Sequence, residues 1–203
     1  MPVAHEREVS AVCVTISDVM THASMMRRAR DEAVAKLREF ADRDGLTGIA
    51  NRRYFELRLG DEFSRWQCYG GEMSMLLFDL DHFKRINDEL GHLVGDTVLR
   101  VMAERVARSV RVQDVFGRFG GEEFALLPCT PFENAMRVAE KVCCAIGETP
   151  IDVKGARVPV TASVGVATSK REITSSYEAL INEADAALYT AKREGRNRTV
   201  GFA

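Results

Sequence analysis

The sequence contains no apolar run as long as the ~18 residues that a membrane-spanning helix needs. It also has little excess of either charge, because the formal net charge is −2 at pH 7. Proteins that bind nucleic acid usually present a strongly basic surface, which this balance does not predict. No secretory signal is recognisable in the first residues. We therefore expect a cytoplasmic protein that neither spans a membrane nor binds nucleic acid.

Cysteine and histidine are too few and too scattered to predict a zinc site. The five cysteines are odd in number and lack the paired spacing of zinc ligands, so we expect reduced thiols, as in cytosolic proteins. The four histidines are equally dispersed. His92, inside the segment GHLVGD, is expected to be structural.

The composition that remains is that of a soluble globular protein, with 46% hydrophobic and 29% charged residues. A length of 203 residues suits one domain with an appendage. Short apolar segments alternate with amphipathic ones, which indicates an α/β sandwich. The predicted helices cover 51–67, 83–89, 95–109, 131–146 and 176–194, and the predicted strands cover 73–80, 160–167 and 198–202, with a hairpin at 115–128 and a small β excursion at 150–160.

Residues 1–43 hold too little sequence for a sensory domain and show an apolar rhythm of three and four residues. Only Arg30 interrupts that rhythm. Such spacing over several heptads predicts a stalk that forms a parallel two-stranded coiled coil. The alternative is a single amphipathic helix packed on its own domain. We place the stalk at 1–43, a hinge at 42–45 and the folded domain at 44–203.

The segment RFGGEEFALL, residues 118–127, places two glycines and two carboxylates at the tip of a predicted hairpin. Gly120 and Gly121 permit a close backbone approach that a Cβ would obstruct. Glu122 and Glu123 would then stand at the turn, where carboxylates can hold a divalent metal. The alternative is an ordinary exposed turn, because Gly-Gly between β-forming residues is a common hairpin signal.

A second pair of acidic residues follows the apolar run MSMLLFDL, which has the length of a buried strand. Asp79 and Asp81 end that strand, and paired aspartates in this position recur where two metals bridge carboxylates and phosphates. The alternative is that they cap the next helix. That helix start would offer the amides of His82 and Phe83, together with the charge of Lys84, to a phosphate.

Farther along the same region, Asn87 and Asp96 carry side chains that match the edge of guanine. A carboxylate can accept from the ring N–H and the exocyclic amine of guanine, while an amide can donate to its ring acceptors. The alternative for either residue alone is a solvated surface position. Their combination with the two acidic clusters favours nucleotide binding.

These segments together resemble the GGDEF family of diguanylate cyclases. Five motifs occur in the family's order: DGLTGIANRR at 44–53, FDLDHFKRINDELGHLVGD at 78–96, RFGGEEF at 118–124, ASVGVA at 162–167 and ADAALYTAKREGRN at 184–197. The resemblance implies an α+β fold, an α-β sandwich in which helices wrap a nucleotidyl-cyclase, polymerase-palm-like central antiparallel sheet. The N-terminal helical stalk would precede this fold.

The resemblance also implies an enzyme that joins two GTP molecules into cyclic di-GMP and releases two pyrophosphates. Asp79 and Glu122 correspond to the metal-binding carboxylates, with the Leu80 carbonyl as a backbone ligand. Glu123 corresponds to a position near the ribose and the reacting hydroxyl, so Asp79, Glu122 and Glu123 form the expected catalytic set. Mg²⁺ is the expected ion, and Mn²⁺ could substitute, because hard cations prefer oxygen ligands.

The remaining substrate positions carry over in the same way. Asn87 and Asp96 fall on the guanine-reading positions, and Gly120 and Gly121 form the turn over the nucleotide. The triphosphate would be held by the side chains of Lys84, Lys192 and Arg196 and by the helix-start amides of His82 and Phe83. Since one domain binds one GTP, the resemblance implies that two domains meet across a twofold axis as a homodimer.

A separate site for product inhibition is implied just upstream of the hairpin. Arg111 and Asp114 form an RxxD pattern at the family's spacing from Gly120. Arginine can make bidentate bonds to a phosphate or a guanine edge, whereas the alternative is a surface ion pair worth ~0–1 kcal/mol. Lys141 on the following helix is a further expected contact, at a position where relatives often have Arg.

Two other functions stay open at this point. The chain could be a receptor that holds GTP or cyclic di-GMP and signals to a partner protein, or it could make a mixed purine dinucleotide. Retention of Asp79, Asn87, Asp96 and Glu122 favours the enzyme, and Asp96 favours guanine. We also expect an upstream sensor or regulatory protein to act through the stalk.

Overall fold

The computed structural model describes residues 22, 24–34, 40–153, 155–170 and 174–202, and it divides into two compact units, Met1–Asp42 and Arg43–Ala203. In the first unit, residues 24–34 are helical, and Met25 and Met26 are exposed. Most positions of the apolar stalk rhythm lie outside the described residues, so the coiled coil stays a prediction. Within the described residues, no helix combines the length and the apolar character needed to span a bilayer.

The strands described in the second unit are β1 (Ala50–Asn51), β2 (Ser74–Leu80), β3 (Val115–Arg118), β4 (Glu123–Leu127), β5 (Ile151–Val153), β6 (Ala156–Val158), β7 (Ala162–Thr168) and β8 (Thr199–Gly201). Six of them form one sheet in the order β1-β3-β4-β2-β7-β8, and β5 pairs with β6 in a separate hairpin. The helices described beside them are α1 (Arg52–Tyr69), α2 (Phe83–Leu90), α3 (His92–Ser109), α4 (Phe132–Gly147) and α5 (Tyr177–Arg193).

The sheet is mixed at its edges. Strands β3, β4, β2 and β7 pair antiparallel, as expected. At the two edges, β1 runs parallel to β3 and β8 runs parallel to β7. The second parallel pair follows from the chain order, because α5 connects β7 to β8 and a helical crossover returns the chain in the same direction. Strand β1 itself was not expected, since only two residues of it pair.

The central strand β2 separates two apolar cores, because its side chains alternate between the faces of the sheet. Leu76, Phe78 and Leu80 pack in one core with residues of α2, α3 and α4. Met75 and Leu77 pack in the other core with residues of α1 and α5. Asp79 continues the second set, so its side chain belongs to the face that α5 covers.

A glycine lets α5 lie close to the sheet on that face. A Cβ on Gly165 of β7 would overlap the carbonyl oxygen of Ala184 and the backbone of Leu188, both in α5. The last turn of α5 carries Lys192. The absence of a side chain at Gly165 therefore helps to bring this lysine to the end of β2.

Candidate active site

The register between β2 and β4 brings the two acidic motifs together. Asp79 is paired directly with Glu123 across the two strands. One residue farther along, the Leu80 N–H donates to the Glu122 carbonyl at 3.3 Å. Asp79 is only 7% exposed, while the two glutamates are half-buried. Carboxylates that lie more than forty residues apart in sequence thus share one site.

Lys192 joins this acidic cluster from α5. Its Nζ lies 3.0 Å from Asp79 Oδ2. Burial raises the pKa of the Asp79 carboxyl, Lys192 opposes that shift, and the charges of Glu123 and Asp81 add to it. Burial and then the charge of Asp79 also raise the pKa of Glu122. One ammonium therefore leaves part of the negative charge of this site unbalanced.

That residual charge fits a divalent cation. Ionisation of two neighbouring carboxylates is unfavourable on its own and becomes favourable once a cation lies between them. In the part of the chain that the structure describes, no three His, Cys, Asp or Glu side chains form a metal-binding group. A metal at Asp79 and Glu122 would therefore complete its shell with backbone, water or phosphate oxygens, which is the habit of Mg²⁺.

The Gly120–Gly121 turn is packed on one side and open on the other. The N–H groups of Phe119 and Gly120 both donate to the Glu123 carbonyl, at 2.8 and 3.1 Å. A Cβ on Gly120 would lie 2.6 Å from Glu123 Oε2, whereas a Cβ on Gly121 would meet nothing within 4 Å. A side chain at the first glycine would therefore displace the Glu123 carboxylate, and the second glycine leaves room above the turn.

Arg118 fixes this turn from below, a role that the sequence patterns did not suggest. Its guanidinium donates to the Gly120 carbonyl at 3.1 Å and to the Gly121 carbonyl at 2.7 Å. It also bonds both oxygens of Asp44, at 3.1 and 3.2 Å. Asp44 in turn accepts from the Thr47 N–H and hydroxyl at 2.9 and 2.7 Å. The only sequence signal was that Asp44 and Thr47 lie in the motif DGLTGIANRR.

The α2–α3 connection brings the two predicted guanine-reading residues together. Gly91 alone separates the helices, and its φ of +85° suits a residue without a side chain. Helix α3 therefore begins at His92 rather than at the expected position 95. A Cβ on Gly95 would overlap Asn87 Oδ1, so the Asn87 amide lies directly against the residue before Asp96.

The start of α2 follows the acidic end of β2 in the chain and contacts Gly95, which lies beside this pair. A Cβ on Gly95 would lie 3.1 Å from Phe83 Cζ, so the first residue of α2 reaches toward Asp96. His82 precedes the helix at φ +59° and makes no side-chain capping bond. The first-turn amides are therefore not capped by that side chain, and Lys84 is exposed beside them.

Asp81 does not share the environment of Asp79, although both were expected in one acidic cluster. Its carboxylate accepts hydrogen bonds from Thr161, Ser163 and the backbone of Asn197. The alternative that Asp81 caps α2 is wrong as well, because its oxygens accept from Thr161 just before β7, from Ser163 in β7 and from Asn197 in the loop after α5. That loop carries Arg196, which is exposed.

The RxxD pattern forms one tight turn. The Arg111 N–H donates to Asp114 Oδ2 at 2.9 Å, and the Asp114 N–H donates to the Arg111 carbonyl at 3.1 Å. The Arg111 side chain is exposed. Lys141 lies on α4, where it lines an open groove of about 860 Å³ together with Ser109. Ser109 is two residues before Arg111, but Arg111 and Asp114 do not themselves line this groove.

Comparisons with known proteins identify the family of the chain. Residues 41–198 match the family described as diguanylate cyclase, GGDEF domain. The chain is 38% identical over 195 residues to the diguanylate cyclase DgcP of Pseudomonas aeruginosa, covering 96% of this chain and 29% of DgcP. It is 38% identical over 200 residues to the response regulator PleD of Caulobacter vibrioides, covering 97% of this chain and 43% of PleD. The chain thus spans less than half the length of these relatives.

Solved structures show the same fold. The coiled coil and GGDEF domain of DgcB from Caulobacter crescentus, in complex with c-di-GMP, has a TM-score of 0.82 and 29% identity over 91% of this chain and 97% of that chain. The diguanylate cyclase SiaD in complex with its activator SiaC, from Pseudomonas aeruginosa, has a TM-score of 0.80 and 34% identity over 98% of this chain and 76% of that chain. The resemblance carried by the five sequence motifs is therefore confirmed: this chain belongs to the GGDEF domain family of diguanylate cyclases.

Proposed function

We propose that this chain condenses two GTP molecules into cyclic di-GMP and releases two pyrophosphates. The observation that carries the proposal is the convergence of Asp79 and Glu122 beside Lys192 at the end of β2. Two carboxylates of raised pKa with one ammonium suit a metal–triphosphate better than they suit an ordinary surface turn. Family membership supports the same reaction class.

The nucleotide would lie across α2, with its base at one end and its phosphates at the other. Asn87 and Asp96 would read the guanine, since their amide and carboxylate match its donors and acceptors. The amides of His82 and Phe83 would contact phosphate oxygens at the helix start. Three cationic side chains would balance the remaining charge of the triphosphate, namely Lys84, Lys192 and Arg196.

The acidic residues would divide the remaining tasks. Asp79 and Glu122 would hold Mg²⁺ or Mn²⁺ together with the Leu80 carbonyl, and Glu123 would lie near the ribose and its reacting hydroxyl. When bound, the metal would neutralise phosphate charge and favour deprotonation of the 3′-hydroxyl. The Gly120–Gly121 turn would let the nucleotide approach the backbone closely. Lys192 would exchange part of its contact with Asp79 for contact with phosphate.

Cyclisation requires two copies of this site to face one another. Each domain would hold one GTP, so each 3′-hydroxyl must attack the α-phosphate held by the partner. The stalk at 1–43 would bring the two domains together as a coiled coil, and its register would set their orientation. The solved DgcB structure includes a coiled coil. Val19→Asp with Met26→Asp should weaken both dimerisation and activity, and unchanged sedimentation of the double variant would reject this role.

Two further proposals concern control of activity. Product would inhibit the enzyme by binding at Arg111 and Asp114, with Lys141 as an additional contact. A regulatory protein would act through the stalk in the cytoplasm, which would parallel the activator complex of SiaD.

The experiment that tests the proposed function is a turnover assay on the purified chain. The protein is incubated with GTP and Mg²⁺, and chromatography detects cyclic di-GMP and pyrophosphate. We expect product from the wild type and none from Glu122→Gln. GTP binding without product from a dimeric preparation would overturn the proposal and support the receptor, and a mixed dinucleotide in the presence of both ATP and GTP would correct the substrate.

A further inference from the structure

The Asp81 carboxylate is engaged entirely with protein donors. It is 5% exposed, and its Oδ1 accepts from Ser163 Oγ at 2.7 Å. Its Oδ2 accepts from Thr161 Oγ1 at 2.7 Å and from the Asn197 N–H at 3.0 Å. Buried carboxylates are stabilised when such donors satisfy them. A metal at Asp81 would compete with these three bonds for the carboxylate oxygens.

The bond from Asn197 fixes a loop whose backbone is strained. Arg196 and Asn197 have φ values of +64° and +46°, in the left-handed region that arginine disfavours and asparagine tolerates better. Such a conformation persists only where surrounding contacts hold it. The Arg196 N–H donates to the Ala191 carbonyl at 3.0 Å, and the next N–H donates to Asp81. The backbone is therefore held on both sides of the Arg196 side chain.

Asp81 also couples this loop to the acidic cluster. Its own N–H donates to the Thr161 carbonyl at 2.9 Å, which continues the pairing of β2 with β7 beyond Leu80. Asp79 lies two residues before it on the same chain segment. A short path of hydrogen bonds through Asp81 thus links the Arg196 loop to Asp79, beside the bond from Arg196 to α5.

We infer that Asp81 is a positioning residue that holds the Arg196 loop in place relative to Asp79, and that it is not a metal ligand. The inference rests on the proposed function, because it takes Arg196 as a triphosphate contact. Loss of the Asp81 carboxylate should weaken nucleotide binding through Arg196 and leave the metal requirement intact.

The experiment compares four single variants of the full chain: Asp81→Ala, Asp81→Asn, Arg196→Ala and Asp79→Asn. Asparagine keeps an oxygen that can accept from Asn197 and Thr161, while its NH₂ can donate to the Ser163 hydroxyl. Binding is measured with a GTP analogue whose α,β-bridge is methylene, so that no turnover occurs. We expect Asp81→Ala to weaken binding about tenfold and Asp81→Asn less than about threefold, in keeping with one retained acceptor.

The double variant Asp81→Ala/Arg196→Ala distinguishes positioning from a general effect on stability. If Asp81 acts through Arg196, the double variant should bind no worse than Arg196→Ala alone, since residues in one network are not additive. Fully additive losses would overturn the inference. Ser163→Ala is the matched control, because it removes a bond to Asp81 and leaves the bond to Asn197.

Hydrogen exchange at the Asn197 amide gives a readout that needs no nucleotide. Exchange should accelerate at least about tenfold in Asp81→Ala and stay near the wild-type rate in Asp81→Asn and Ser163→Ala, because only the first variant loses the acceptor. If the wild type fails to bind the analogue, the proposed function fails, and exchange still decides whether Asp81 holds the loop. An unchanged exchange rate in Asp81→Ala would overturn the inference. It would also be overturned if Mg²⁺ no longer promoted binding in Asp81→Asn, as we expect for Asp79→Asn.

Discussion

The Arg118 guanidinium lies 3.1 Å from Asp44 Oδ1, across 74 positions of sequence. The two side chains are 17% and 21% exposed, so solvent screens their interaction only in part. Because the same guanidinium bonds the carbonyls of Gly120 and Gly121, the pair links the glycine turn to the segment that precedes β1.

The first prediction concerns this pair. Arg118→Lys should lower the free energy of unfolding by about 1–2 kcal/mol, since a lysine cannot replace several bonds of a planar fork. Cyclisation should slow as the turn loosens. Arg108→Lys is the control, because Arg108 forms an exposed i,i+4 pair with Glu104 that is worth about 0.5 kcal/mol or less. Chemical denaturation measures both, and equal losses would contradict the assignment.

The second prediction is a pH dependence of the same pair. Burial acts to raise the pKa of Asp44, but the bonds from Thr47 and the charge of Arg118 outweigh it, and the net pKa is lowered from 3.8. A lowered pKa contributes stability that is present above the unfolded value and lost as pH falls through the folded value. The stability gap between wild type and Asp44→Asn should therefore stay constant from neutral pH to about 5 and shrink below about 4. A gap that widens in acid would contradict this sign.

The third prediction separates function from stability at Glu122. Because the pKa of Glu122 is raised, its ionised form opposes folding at neutral pH. Glu122→Gln should therefore not lower the melting temperature of the metal-free protein. Mg²⁺ with GTP should raise the melting temperature of the wild type and fail to do so in the variant. Glu133→Gln, at an exposed residue of α4, should respond like the wild type, and equal ligand-induced shifts in all three proteins would count against the metal site.

The fourth prediction concerns recognition of the base by Asp96. Inosine triphosphate lacks the exocyclic amine, so its binding leaves the carboxylate short of one donor. An unmatched polar group of this kind costs about 1–3 kcal/mol, and the wild type should prefer GTP about tenfold or more. Asp96→Ala should bind both nucleotides weakly with little preference. Calorimetry measures the two affinities, and an unaltered preference in the variant would show that other groups read the base.

The fifth prediction concerns product inhibition. In Arg111→Ala, the concentration of cyclic di-GMP needed to halve the rate should rise about tenfold or more. The reason is that the exposed guanidinium is the group suited to bind phosphate and guanine. Turnover at low product should stay the same, since Arg111 lies outside the acidic cluster. Arg108→Ala serves as the control for loss of a nearby positive charge. Equal inhibition of the two variants would count against the RxxD assignment.

The sequence by itself determined which segments form helices and strands, and at which strand ends the catalytic residues are expected. The apolar run before Asp79, the glycine pair before Glu122 and the helix around Asn87 are local patterns, and local periodicity specifies local structure. Family motifs extended these patterns to the fold. Helix α3 starts at His92 because Gly91 by itself turns the chain between the two helices. The spacing of apolar residues does not reveal a turn of one residue.

The tertiary structure alone decided which residues face one another. Asp79 and Asp81 look equivalent in sequence, yet one meets Lys192 and the other meets Ser163, Thr161 and Asn197. Likewise, Arg118 finds Asp44 only once β1 pairs with β3. Such partners depend on strand register and on how closely a helix approaches the sheet, and these are set by packing over the whole domain rather than by neighbours in the chain.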